Sequence, residues 1–133
     1  MPASLASNPR PFKGVVCGLA LVLALGSLAS IAGCHSRFVE ATVDNQSGLP
    51  LHVLEVDYPS AGFGVSVLPA HSQYHYRFKI LGSGSVKVSF TDGQGKAHAS
   101  TGPELDEGQE GSLRIAIDEA DRVQWTPNLQ TPK

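Results

Sequence analysis

From Phe38 onward apolar side chains recur at every second position, the period of a half-buried strand, because successive strand residues point to opposite faces. Val39, Ala41 and Val43 alternate with Glu40, Thr42 and Asp44, and Leu54, Val56 and Tyr58 alternate with Glu55 and Asp57. Tyr74, Tyr76, Phe78 and Ile80 stand against Gln73, His75, Arg77 and Lys79. Val86, Val88 and Phe90, then Leu113, Ile115 and Ile117, continue the pattern, and Val123 and Trp125 suggest a last short strand. Turn residues separate these runs at Asn45–Gly48, Pro59–Gly62, Gly82–Gly84, Asp92–Gly95 and Pro103–Gly111. The spacing predicts an all-β antiparallel β-sandwich of seven or eight short strands over residues 38–125, with a polar tail at 126–133 that frays.

The same pattern predicts register. Ile80 opposite Val86, Phe78 opposite Val88 and Tyr76 opposite Phe90 close a hairpin over Gly82-Ser83-Gly84, with Lys79 set opposite Lys87. A second hairpin closes Thr91 with Lys96, which places Phe90 opposite Ala97 and Val88 opposite Ala99.

The first 33 residues are of another kind. Arg10 and Lys13 are their only charges, and a charge-free run from Gly14 to Gly33, rich in Leu, Ala and Val, follows. A positive region, an apolar helix and small residues in that order make a secretory signal. The sequence Ile31-Ala32-Gly33-Cys34 that ends it resembles the lipobox of bacterial lipoproteins. The resemblance implies cleavage of a signal peptide spanning 1–33, a diacylglyceryl group on the Cys34 thiol, and a new amino group open to acylation. An uncleaved apolar anchor helix is the competing reading, since about 20 apolar residues span a bilayer. Either one places the domain in the bacterial cell envelope, membrane-anchored and facing the periplasm or the outside. His35, Ser36 and Arg37 are all that separate Cys34 from the first strand residue, so the tether of 34–37 reaches only about 10–15 Å.

Removing the leader changes the charge and cysteine balance. The 133-residue chain has 10 Lys and Arg against 12 Asp and Glu; without Arg10 and Lys13 the remainder is acidic, which gives nucleic acid no electrostatic foothold. Cys17 leaves with the leader and Cys34 is acylated, so no thiol remains for a disulfide, a redox pair or a nucleophile.

The strand pattern over 38–125 resembles the small immunoglobulin-like or transthyretin-like domains of bacterial envelope proteins. Leu68-Pro69-Ala70-His71-Ser72 is similar to their hydrophobic-x-Pro-Gly turn, with Ala70 where Gly is usual. Such folds carry many functions. No nucleophile elbow, phosphate loop or calcium-loop pattern occurs, and the acidic group Glu104, Asp106, Glu107 and Glu110 reads as a solvated loop. His71 and His75 on extended chain are too far apart to share an ion, and His52, His75 and His98 fall on outward positions, so no metal site and no cofactor are expected. His75, Arg77, Lys79 and Lys87 form a candidate basic contact patch. The expected function is a non-enzymatic interaction or accessory module, bound to membrane lipid through Cys34 and to an envelope protein partner. The alternative is a small-ligand or metal-binding periplasmic module.

Overall fold

Alternating apolar positions force strands, and eight of them form in the computed structural model, which describes residues 37–132. They are β1 (Val39–Asn45), β2 (Leu51–Tyr58), β3 (Ala61–Leu68), β4 (Gln73–Phe78), β5 (Gly84–Thr91), β6 (Ala97–Leu105), β7 (Glu110–Ile117) and β8 (Val123–Gln130). The segment 1–33 expected to be a signal peptide, with Ile31, Ala32 and Gly33, and Cys34 lie outside the described residues. Among the described residues no helix is long and apolar enough to cross a membrane.

The strands form two four-stranded sheets, β4-β1-β7-β8 and β3-β2-β5-β6, in a β-sandwich arrangement. Between them lie Val39, Val43, Leu54, Val56, Val86, Val88, Leu113, Ile115 and Ile117, each at most 1% exposed. These are the rows that the alternation assigns inward, so the phase of β1, β2, β5 and β7 follows directly from burial of one face.

Four features depart from the sequence reading. The sandwich is not wholly antiparallel, because β1 lies parallel to β7, with Val39 beside Gly111 and Asn45 beside Ile117. The expected β4–β5 hairpin does not form: β4 pairs with β1, Phe78 opposite Val39, while β5 pairs with β2 and β6. Residues 79–83 instead cross from one sheet to the other, and Gly82, at φ 105°, supplies a left-handed step in that crossing. Alternation tells which face a strand buries, but both sheets of a sandwich bury a face, so it cannot choose the partner. A strand absent from the reading, β3, arises from Ala61-Gly62-Phe63-Gly64, whose glycines look like loop; the turn is only Pro59-Ser60, with Ser60 at φ 80° and Tyr58 opposite Ala61. Finally, β8 continues to Gln130, paired with Glu110 of β7, so most of the segment expected to fray is strand.

Both open sides of the sandwich are closed by rings. At the β3/β4 side Phe63 stacks on Tyr76 at 4.4 Å and Tyr58 on Phe78 at 4.1 Å. Burial, with the neighbouring Tyr76 hydroxyl, raises the Tyr58 pKa. At the β6/β8 side the Trp125 indole covers Ser100 and Gly102, where a small side chain and a missing Cβ leave the room it fills, and its Nε1 donates to Ser100 Oγ at 3.1 Å.

The pairing gives the molecule two distinct ends. Residues 37–38, the connections at 59–60, 79–83 and 106–109, and Gln130 lie at one. The connections at 46–50, 69–72, 92–96 and 118–122 lie at the other.

Candidate functional site

At the end remote from residue 37, two hairpin loops repeat one local design. The β5–β6 loop is Asp92-Gly93-Gln94-Gly95-Lys96 and the β7–β8 loop is Asp118-Glu119-Ala120-Asp121-Arg122. In the first, Asp92 Oδ1 accepts the amides of Gln94 and Lys96, each at 2.9 Å. In the second, Asp118 Oδ1 accepts those of Ala120 at 2.8 Å and Arg122 at 3.0 Å. The backbone agrees: Asp92 N–H donates to Lys96 O and Gly95 N–H to Asp92 O, as Asp118 does to Arg122 O and Asp121 to Asp118 O. Aspartate folds such loops because its short carboxylate replaces the missing backbone acceptors.

The fourth position of each loop is left-handed, at φ 87° for Gly95 and φ 58° for Asp121. Glycine takes that conformation freely; Asp121 takes it at a cost.

This loop length corrects the expected register. With five loop residues, Thr91 pairs with Ala97, Phe90 with His98 and Val88 with Ser100, one step from the predicted pairing. A one-residue slip exchanges the faces of a strand, so His98 is not outward. Its ring lies against Phe90, centroids 5.1 Å apart, and its side chain is 22% exposed.

Inward placement brings His98 between two carboxylates. Its Nε2 is 2.8 Å from Asp92 Oδ2 and 3.6 Å from Asp121 Oδ2. Donor atoms of Asp92, His98 and Asp121 all lie within 4.8 Å of one another, the geometry that lets three side chains hold one metal ion. Hydrogen bonding from His98, then from the Lys96 amide, pulls the Asp92 pKa down to about 2 and keeps that group an anion. The cluster opens into a cleft of about 340 Å³ bordered by Ser47–Leu49, Asp92–Gln94, Glu119 and Asp121. Gly93 is needed at its rim, since a Cβ there would sit 2.6 Å from the Leu49 Cβ. The signal in the sequence is the repeated Asp-x-x-x-Lys/Arg spacing at 92–96 and 118–122, which sets both loop lengths.

The candidate basic patch is divided. His75 and Arg77 lie on β4, and Lys79 follows it; Lys87 lies on β5 of the other sheet, opposite Asp57 and Thr101. The predicted Lys79–Lys87 pairing is therefore absent. Arg77 pairs with Glu40 at 3.2 Å and stands 4.0 Å above the Phe38 ring, with Lys79 Nζ at 5.1 Å from the same ring. His75 Nδ1 meets Thr42 Oγ1 at 3.1 Å. The acidic group falls around the opposite end from the cleft, with Glu104 accepting from Ser85 Oγ at 2.5 Å. A wider and more open depression of about 520 Å³ lies over Gly62 and Gly64 on β3, beside Val53, Glu55 and Asp57.

No family model matches the chain, and no curated protein matches it. Among solved structures it is similar to the NMR structure of a protein from Eubacterium rectale. The TM-score is 0.51 at 17% sequence identity, covering 68% of this chain and 88% of that one. A likeness at this identity is one of fold, and it agrees with a small all-β domain of two sheets.

Proposed function

We propose that this chain is a membrane-anchored lipoprotein of a bacterial envelope whose immunoglobulin-like or transthyretin-like β-sandwich is a non-enzymatic interaction or accessory module. The observation that supports it is the polarity of the domain. Residue 37 is three residues from Cys34, so an acyl anchor there holds one end of the sandwich within about 10–15 Å of a bilayer. The loops at 46–50, 69–72, 92–96 and 118–122 then face away from the membrane, where an envelope protein partner is met. Arg37, Arg77 and Lys79 belong to the membrane-side end or its neighbouring strand, where basic groups suit anionic headgroups. Two or more acyl chains hold a protein firmly, whereas one is marginal.

The test compares the chain with Cys34→Ser in its native host. Intact mass should show a protein beginning at Cys34 and carrying lipid, sedimenting with membranes, and the variant should lose both the lipid and the sedimentation. An unlipidated wild-type chain refutes the anchor. Photo-crosslinkers at Gln94 and at Ser66 test the interaction role: a discrete adduct from Gln94 and none from Ser66 supports it, and the reverse refutes the orientation.

A further inference from the structure

We propose that Asp92, His98 and Asp121 form a binding site for a divalent transition cation of the Zn2+ type, at the end of the domain remote from residue 37. The inference is independent of whether Cys34 is lipidated.

Three observations converge on it. The donor set is one imidazole nitrogen and two carboxylate oxygens, within 4.8 Å of one another. Tetrahedral zinc with bonds of about 2.0–2.1 Å places its ligand atoms about 3.3 Å apart, and the 2.8 Å and 3.6 Å separations around His98 Nε2 bracket that value. The nitrogen donor favours zinc-like ions over Ca2+, which takes six to eight oxygens.

Two of the three ligands are also held by a neighbour that leaves the binding atom directed at the others. Asp92 spends Oδ1 on two loop amides and turns Oδ2 to the cluster. The His98 ring is fixed by its contact with Phe90. Such support is what orients ligands in built metal sites.

The third observation comes from comparing the two loops. They share every hydrogen bond named above, yet the left-handed position is Gly95 in one and Asp121 in the other. Loop folding alone is served better by glycine there. Aspartate at 121 supplies the cluster's third ligand, so a position that costs stability is explained by what its side chain does. The cleft bordered by Glu119 gives the ion a path from solvent and leaves room for water or the Glu119 carboxylate as a further ligand.

The experiment titrates Zn2+ into the metal-stripped full-length chain in mild detergent, by calorimetry, with thermal unfolding recorded alongside. The expected result is one Zn2+ per chain, retained in a large excess of Ca2+. Asp121→Gly should raise the thermal midpoint of the metal-free protein while weakening Zn2+ binding at least about tenfold. His98→Gln should weaken it similarly, and His52→Ala and His75→Ala should leave it unchanged. Absence of saturable Zn2+ binding overturns the proposal. So does binding that survives Asp121→Gly, that Ca2+ displaces, or that is lost with His75→Ala. Because Asp121→Gly is expected to stabilise the fold, loss of binding in that variant cannot be confused with unfolding.

Discussion

The Asn45 side-chain amide donates to the Leu68 carbonyl at 3.1 Å, joining the end of β1 to the end of β3 across 23 residues. The same amide reaches Leu49 O and Pro69 O, each at 3.0 Å, while its Oδ1 accepts the Ser47 amide at 3.0 Å and the Ser47 hydroxyl at 2.7 Å. Asn45 is fully buried, so one residue fastens the β1–β2 loop to the turn where the chain changes sheets. Replacing it with Ala removes all five of these hydrogen bonds; Pro69 O keeps the Ser72 hydroxyl and Leu49 O the Ser47 hydroxyl, so the loss falls chiefly on the Leu68 carbonyl and the Ser47 amide. Asn45→Ala is expected to destabilise the protein by about 2–3 kcal/mol, measured by urea unfolding. A cost below about 0.5 kcal/mol would show that the loop relaxes to water and that the tie is dispensable.

Gly102 lies beneath the Trp125 indole so closely that an added Cβ would fall 2.5 Å from the ring. Backbone on one side and a rigid ring on the other leave no easy relaxation. Gly102→Ala should cost about 1–3 kcal/mol and expose the indole. Trp125 is the only tryptophan, so its fluorescence reports the displacement directly as a red shift. Unchanged emission and stability would contradict this packing.

The carboxyl of Asp118 is held below its usual value, first by the Arg122 amide, then by the Ala120 amide and the nearby Arg122 guanidinium. A depressed folded-state pKa stabilises the fold fully above the unfolded value of about 3.8, and that contribution disappears as the pH falls toward the folded value. Carboxyl NMR titration should therefore find Asp118 ionised below pH 3.8. In Arg122→Ala the midpoint should rise only part of the way, since the backbone donors remain. A complete return would assign the effect to the guanidinium.

Arg77 and Glu40 make an ion pair in which both side chains are more than half exposed. Exposed pairs contribute little because water screens them and both chains lose freedom. Arg77→Ala should change stability by less than about 1 kcal/mol, including its contact with the Phe38 ring. Since Lys79 lies in the crossing that follows β4 and Lys87 on β5 is paired with Asp57 and Thr101, the effects of Lys79→Glu and Lys87→Glu on stability should add within about 0.5 kcal/mol. A larger coupling would mean that the two lysines share a surface after all.

Much of this fold is legible in the order of residues, and particular positions show where that ends. Val39, Ala41 and Val43, or Val86, Val88 and Phe90, declare a buried face through their period of two. Tyr76 has the right phase yet remains 37% exposed, because β4 is an edge strand whose ring packs on Phe63 at the open side of the sandwich. A single residue of loop length turns His98 to the face opposite the one its alternation implies, and the cluster of Asp92, His98 and Asp121 depends on that turn. Those residues are six and 23 positions apart along the chain, and no spacing rule for extended strands brings them together.

The sequence by itself determined the all-β class and the inward rows of β1, β2, β5 and β7. These are local properties, set by whether neighbouring side chains are apolar or charged. Tertiary structure alone decided that β4 joins β1 and not β5, that β1 runs parallel to β7, and that two loops from different sheets meet around His98. Those choices depend on which of several equally apolar faces and edges pack best together, a comparison between distant segments that no local pattern contains.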